Sequence, residues 1–128
     1  MFSTPDARLT VPAHADYLAV CRSALAGALS ATDAADDEID DLKLVLSEVC
    51  ADAIGHHADG MLEVEFRTSA DAVEIAVSGP GSQAGPRNAP PIADPVARAV
   101  IDGMSGCCSV AALDGRPGVS ITYPRLPR

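Results

Sequence analysis

Three side chains able to do chemistry recur at every fourth position in the middle of this 128-residue chain. Glu48, Asp52 and His56 have a spacing that stacks side chains along one side of an α-helix. Two carboxylates one turn apart repel each other, so this line of residues indicates either a ligand site or a solvated acidic face. With His57 as a further donor the set suits a transition metal, although ligands from one helix rarely complete a coordination sphere.

The helix that carries this line is predicted by an apolar stripe. Its members recur at spacings of three and four: Ile39, Leu42, Leu46, Val49 and Ala53. The stripe predicts a helix over residues 36–57 with one face in the core. Acidic residues crowd its start, where free backbone N–H groups and the helix dipole favour negative charge. We expect these residues to cap the helix rather than to bind metal: Asp33, Asp36, Asp37 and Glu38.

Composition limits the classes of partner. The formal net charge of −9 argues against nucleic acid and anionic membranes, because both would repel an acidic surface, and it suits a basic protein partner. Aromatic residues make up only 3% of the chain, which leaves no stacking platform for bases. No stretch approaches the roughly 18 apolar residues of a membrane span, and residues 1–12 lack the basic start of a signal peptide. We therefore expect a cytoplasmic protein.

The four cysteines contain no C-x-x-C spacing, so they spell out neither a zinc site nor a redox motif. Cys107 and Cys108 are adjacent, whereas Cys21 and Cys50 fall within helical patterns. We expect Cys21 and Cys50 to be small buried hydrophobic residues with reduced thiols.

Periodicity predicts the remaining elements. A strand over residues 8–11 ends at Pro12, and a helix over 13–30 turns Arg22 and Ser23 away from its apolar face. Strands over 62–67 and 73–77 form a hairpin. A long loop over 79–94, rich in Pro and Gly, resembles a shortened lid. After the loop comes a short helix over 95–104, with Val96 on its apolar face. Strands over 108–112 and 119–123 follow, and a tail over 124–128 ends the chain.

We therefore predict a single domain over residues 1–128, with its core in 8–123. The expected architecture is a two-layer α/β sandwich: a mainly antiparallel sheet of about five strands with three helices on one face.

Residues 41–56, DLKLVLSEVCADAIGH, resemble the first motif helix of the anti-sigma factor and serine-protein kinase branch of the GHKL ATPase superfamily. The order of predicted elements matches that family from Leu9 to Tyr123. The resemblance implies a histidine-kinase-like ATPase fold. It also implies that Glu48 is the candidate base that activates the attacking hydroxyl, and that position 52, an Asn in the family, holds the magnesium of ATP.

The chain departs from the family at the positions that bind nucleotide. Asp52 replaces the Asn; it can still ligate magnesium but adds negative charge beside a triphosphate. Gly79 and Gly81 keep the glycines of the next motif, but Val77 replaces the Asp that would accept a hydrogen bond from adenine. Pro95 begins the stretch that replaces a third, phosphate-binding Gly-x-Gly, and proline has no N–H to donate.

These observations lead to two expectations. The first is a regulator, similar to anti-sigma factors, that sequesters a sigma factor without turning over ATP and is released by an anti-anti-sigma partner. The alternative is a kinase that uses Glu48 as base, with ATP and with magnesium on Asp52, to phosphorylate an anti-anti-sigma protein. Tyr17, Arg22 and the loop over 79–94 are candidate partner contacts, since Ala19 stands where relatives have a contacting arginine. Relatives often form dimers, so the resemblance also allows a homodimer.

Overall fold

The computed structural model describes residues 6–56, 60–79, 94–103, 109–113 and 118–125. Its helices are α1 (Leu18–Ser30), α2 (Asp36–His56) and α3 (Pro95–Gly103), with a short 3-10 helix at Ala15–Tyr17. Its strands are β1 (Ala7–Pro12), β2 (Met61–Thr68), β3 (Ala72–Ser78), β4 (Ser109–Ala112) and β5 (Gly118–Pro124). Within these ranges the strands form one sheet in the order β1-β2-β3-β5-β4, and all neighbours are antiparallel. The predicted fold class is confirmed.

One face of the sheet builds the core. Strand residues alternate between its two faces, so every second side chain faces the helices. The inward residues of the three central strands are buried: Leu62, Val64, Phe66, Val73, Ile75, Val77, Val119, Ile121 and Tyr123. The helices α1 and α2 pack on this face and α3 packs against α2. Apolar burial at roughly 25 cal/mol per Å² is the main force that holds these layers together.

The start of α2 follows the predicted capping role of the acidic residues. Glu38 Oε1 accepts the backbone N–H of Ala35 at 3.1 Å, and the Ile39 N–H donates to the Ala35 carbonyl at 3.0 Å. A glutamate that reaches back to the residue before a helix satisfies a donor that the helix itself leaves free. Glu38 is therefore one of the groups that begin this helix.

Two predictions about the first helix were wrong. The α-helical part begins at Leu18 rather than at residue 13, because the His14 side chain accepts the Asp16 N–H at 3.1 Å and holds a 3-10 turn first. Arg22 does not turn away from the fold. It is half-buried, and its Nη1 donates to Ser47 Oγ on α2 at 3.2 Å.

Two predictions about the C-terminal part of the chain also need correction. Val96 is 69% exposed, and Ala97 is buried in its place, one turn before the buried Ile101. The tail was predicted to begin at Pro124, but Pro124 pairs with Ala72 in the sheet. Arg125 is also bonded to the fold, since its backbone N–H donates to the Asp71 carbonyl at 2.7 Å.

Gly118 is required at the start of β5. Its φ of +146° lies in a region that residues with a side chain rarely adopt. A Cβ at this position would also lie 2.4 Å from the carbonyl oxygen of Val77 on the neighbouring strand. The glycine lets β5 approach the end of β3, beside the candidate site.

The outer face of the sheet carries a network of charges. Glu65 on β2 is only 4% exposed; its Oε2 lies 2.9 Å from Arg67 Nη2 and its Oε1 lies 3.6 Å from Arg8 Nη2. Arg67 also contacts Glu74 on β3 at 3.1 Å, and Glu74 accepts a hydrogen bond from Ser120 on β5 at 3.2 Å. This network links four strands, from β1 to β5.

Candidate functional site

The site is built around the line of residues along α2. Glu48 is half-buried and Asp52 is 4% exposed, and the two carboxylates lie one turn apart on the same side of the helix. The buried polar side chains of the described residues are those of Asp52, Glu65 and Ser78. Burial of a carboxylate demands compensating hydrogen bonds, so the partners of Asp52 decide what this residue does.

Asp52 is bonded to the beginning of α3. Its Oδ1 accepts the backbone N–H of Asp94 at 2.8 Å, which joins two points that lie 42 residues apart in the chain. Asp94 in turn caps α3, because its Oδ1 accepts the Val96 N–H at 2.9 Å. The two carboxylates thus form a chain of bonds that ties α3 to α2.

This arrangement occupies the N-terminal end of α3. The first four N–H groups of a helix have no partner within it and are the groups that hold phosphates at helix ends. Here the N–H of Asp94 goes to Asp52, Pro95 has none, and the N–H of Val96 goes to Asp94. Two of these four groups are therefore taken by carboxylates of the protein itself, and a third is absent.

Val77 lies at the end of β3 and is fully buried in the core. Its neighbours across the sheet are Val64 on β2 and Val119 on β5, so its surroundings are apolar on both sides. Ser78 and Gly79, which follow it, are also buried. Gly81 lies outside the described residues.

The metal hypothesis gains no support from the part of the chain that the structure describes. Within those residues no group of three or more His, Cys, Asp or Glu side chains is arranged to hold a metal ion. Glu48 and Asp52 lie on one side of α2 as predicted, whereas the side chain of His56 and all of His57 fall outside the description.

The candidate partner residues lie on or next to α1. Tyr17 ends the 3-10 helix and is 39% exposed, and Ala19 is also exposed. Arg22 is held against Ser47, the residue before Glu48, so it links α1 to the helix that carries the site. The predicted contact loop over 79–94 is described only at its ends, Gly79 and Asp94.

Sequence reasoning recognised Asp94-Pro95 as a helix start but missed the bond from Asp94 to Asp52. The helix start has a local signal, since Asp before Pro is a common way to begin a helix. The bond to Asp52 has none, because it depends on how α3 packs against α2.

Comparisons with known proteins agree with this architecture. A family profile described as "Histidine kinase-like ATPase domain" matches residues 11–118. The chain is 33% identical over 76 residues to the serine-protein kinase RsbW of Bacillus cereus (strain AH187) and 32% identical over 77 residues to RsbW of Bacillus subtilis (strain 168). RsbW of Staphylococcus aureus (strain JH9) is 31% identical over 78 residues.

These matches cover part of each protein. Each alignment takes in 57% of this chain and 48% or 49% of the relative, so the chain spans about half the length of the curated relatives it matches. No helix among the described residues is long and apolar enough to cross a membrane.

Proposed function

This chain belongs to the histidine kinase-like ATPase domain family, and we propose that it is an anti-sigma factor-like regulator that does not turn over ATP. In this proposal it sequesters a sigma factor in the cytoplasm and is released by an anti-anti-sigma protein. The resemblance of residues 41–56 to the anti-sigma and serine kinase branch supplies the class of partner. The net charge of −9 suits a basic partner surface, since charge complementarity steers association.

The bond between Asp52 and Asp94 carries the part of the proposal that concerns ATP. A magnesium ion bound through Asp52 Oδ1 would have to compete with the Asp94 N–H, which lies 2.8 Å from that oxygen. A triphosphate at the start of α3 would meet the Asp94 carboxylate, which already accepts the Val96 N–H. Like charges repel, so the Asp94 carboxylate makes this end of α3 unfavourable for phosphate.

Val77 supports the same proposal at the position where the adenine ring would bind. An adenine amino group needs a hydrogen-bond acceptor, and a fully buried valine offers none. A buried contact of this kind typically contributes about 1–3 kcal/mol to binding. The bond between Asp52 and Asp94 and the burial of Val77 both support a regulator that does not depend on ATP and magnesium.

We propose that partner binding uses the exposed surface of α1 and the residues just before it. Tyr17 is partly exposed and Arg22 is half-buried, and tyrosine and arginine are the side chains that most often dominate protein interfaces. Val20 on α1 and Leu44 on α2 are also exposed, at 48% and 45%. Exposed apolar side chains on these helices suit a partner that buries them.

The proposal is tested by binding to purified sigma factors from the same cell. Tyr17→Ala should weaken binding at least about tenfold, which corresponds to a loss of about 1.4 kcal/mol. Val96→Ala is the matched control, because Val96 is exposed but lies on α3. Ser47→Ala removes the partner of Arg22 without changing charge, so comparison with Arg22→Ala separates partner contact from support of α1. Failure to bind any sigma factor or anti-anti-sigma protein would remove the proposal.

The alternative function is an active serine-protein kinase, the activity named for the RsbW relatives. The observation that favours it is Glu48, a half-buried carboxylate at the position of the candidate base. Transfer of labelled phosphate from ATP to a purified anti-anti-sigma protein, abolished by Glu48→Gln, would establish this function in place of the first. Sedimentation of the purified protein would test the expected homodimer.

A further inference from the structure

The end of β5 is bonded to the region where α1 is joined to α2. Tyr123 faces the helices, and Arg125 follows it two residues later, so both side chains lie on the same face of the sheet. Tyr123 Oη donates to Asp41 Oδ2 on α2 at 3.2 Å. Arg125 Nη2 donates to Asp33 Oδ1, in the connection between the helices. Two successive side chains on this face therefore hold two acidic residues, one on each side of the start of α2.

Arg125 joins this connection to the turn between β2 and β3. Its backbone N–H donates to the Asp71 carbonyl at 2.7 Å, and its Nη1 donates to the Ser69 carbonyl at 3.1 Å. Its side chain is only 9% exposed, whereas that of Asp33 is 72% exposed. The guanidinium group is therefore almost buried, while its carboxylate partner lies at the surface.

The connection between the helices also has bonds of its own. Thr32 Oγ1 donates to the Leu29 carbonyl at 2.6 Å and accepts the Ala34 N–H at 3.2 Å. These bonds are local and hold the connection in one shape without attaching it to the sheet. The bond from Arg125 to Asp33 provides an attachment to the sheet.

We propose that the side chains of Tyr123 and Arg125 form a latch that closes the α1–α2 pair onto the end of the sheet, and that this latch opens without unfolding of the sheet. Opening breaks the bonds to Asp41 and Asp33 and leaves β5 paired with β3. Because a short connection joins the helices, the end of α1 and the start of α2 move together. This inference concerns the helix pair and does not depend on the proposed function.

The burial of Arg125 explains why the latch can open. Its Nε is buried and has no hydrogen-bond partner in the part of the chain that the structure describes. A buried donor without a partner is unfavourable, and the desolvation of a buried charge offsets the attraction within an ion pair. Opening exposes the guanidinium group to water and removes both penalties. We therefore expect the opening to need less free energy than unfolding of the sheet.

Native-state hydrogen exchange of the full chain tests the latch. We expect the backbone amides of residues 32–41 to exchange through an opening that leaves the amides of β3 protected. Arg125→Gln should speed exchange at residues 32–41 by about tenfold relative to β3, because bonds to a charged group are lost. High salt should also speed this exchange relative to β3 in the unmodified chain, because salt screens a pair whose carboxylate is exposed. Arg125→Gln should remove this effect of salt.

Two further variants serve as controls. Arg98→Gln removes the same charge from an arginine that is 44% exposed and bonded to Asp102 within α3, so it should leave exchange at residues 32–41 unchanged. Tyr123→Phe keeps the ring but removes the bond to Asp41, so it should speed exchange of the same amides as Arg125→Gln.

Should Arg125→Gln fail to fold, the comparison of low and high salt in the unmodified chain is still decisive. The proposal is overturned if residues 32–41 exchange only together with β3, or if salt leaves their exchange relative to β3 unchanged. It is also overturned if a folded Arg125→Gln variant leaves exchange at residues 32–41 unchanged or speeds exchange in both regions by the same factor.

Discussion

The carboxylate of Asp52 accepts the backbone N–H of Asp94 at 2.8 Å. This bond connects α2, the longest helix among the described residues, to the residue that begins α3. The resemblance predicts that position 52 holds magnesium, whereas the Asp52 side chain in this structure bonds α2 to the start of α3. We therefore propose a structural role for Asp52, which has consequences for stability and for ligand binding.

Asp52→Ala should lower the free energy of unfolding by about 1–3 kcal/mol, because the Asp94 N–H loses its acceptor in a partly buried place. Asp52→Asn should have a smaller effect, since an amide oxygen can accept the same bond. Urea unfolding of both variants measures the difference. Equal losses in the two variants would mean that the bond to Asp94 does not account for the role of Asp52.

Gly118→Ala should destabilise the fold. Backbone strain at a positive φ costs about 1–3 kcal/mol, and the added Cβ would also collide with the Val77 carbonyl oxygen. Gly27→Ala is the matched control: Gly27 lies within α1, a methyl group added to it would meet nothing within 4 Å, and alanine should stabilise this helix by up to about 1 kcal/mol. The Tm should therefore fall for Gly118→Ala and rise for Gly27→Ala. An unchanged Tm for Gly118→Ala would refute the close approach of β5 to β3.

The charged side chains on the outer face of the sheet should contribute unequally to the free energy of unfolding. Glu65→Ala should cost about 1–3 kcal/mol, because Glu65 is buried and its loss removes a partner at 2.9 Å from Arg67. Arg8→Ala removes the more distant partner of the same carboxylate, and Arg8 is 56% exposed, so its cost should stay below about 1 kcal/mol. The measurement is urea unfolding at low and high salt. Guanidinium chloride is unsuitable because it is itself a salt and screens charges. A larger loss for Arg8→Ala than for Glu65→Ala would contradict this ranking.

Val77→Asp introduces the residue type that the resemblance predicts at the adenine-binding position. We expect a loss of stability greater than that of Val77→Ala, because a carboxyl group in a fully buried apolar position lacks partners. Val77→Ala should itself cost about 1–3 kcal/mol through the cavity that it leaves. Urea unfolding with and without ATP compares the two. A stable Val77→Asp variant that gained stability from ATP would show a working adenine pocket.

The strands and the long helix could be predicted because their causes are local. Alternation at Leu62, Val64 and Phe66, and the stripe from Ile39 to Ala53, follow directly from the geometry of strands and helices. The strand β4 was also predicted by alternation, but it is less buried than the central strands: Val110 is half-buried and Ala112 is exposed. As an edge strand, β4 has only β5 beside it among the described strands, and sequence alone does not reveal which strand lies at an edge.

The site was harder to predict because its contacts are between distant segments. The line of Glu48 and Asp52 was visible as a helical spacing, but the partner of Asp52 comes from a different helix. Arg22 was turned away from the apolar face on helical spacing, yet a long side chain can lie along a neighbouring helix and place only its polar end at a hydroxyl. Val96 was assigned to the core from spacing, but a short helix buries few positions, and packing against α2 selected Ala97 in its place.

The central claim of the proposed function is that Asp52 and Asp94 stabilise this chain and that the chain does not bind ATP. Isothermal titration calorimetry of the full chain with ATP and magnesium tests it most directly, with circular dichroism to confirm that the protein is folded. We predict no saturable binding at ATP concentrations up to the millimolar range. A dissociation constant in the low micromolar range, dependent on magnesium and lost in Asp52→Ala, would contradict it.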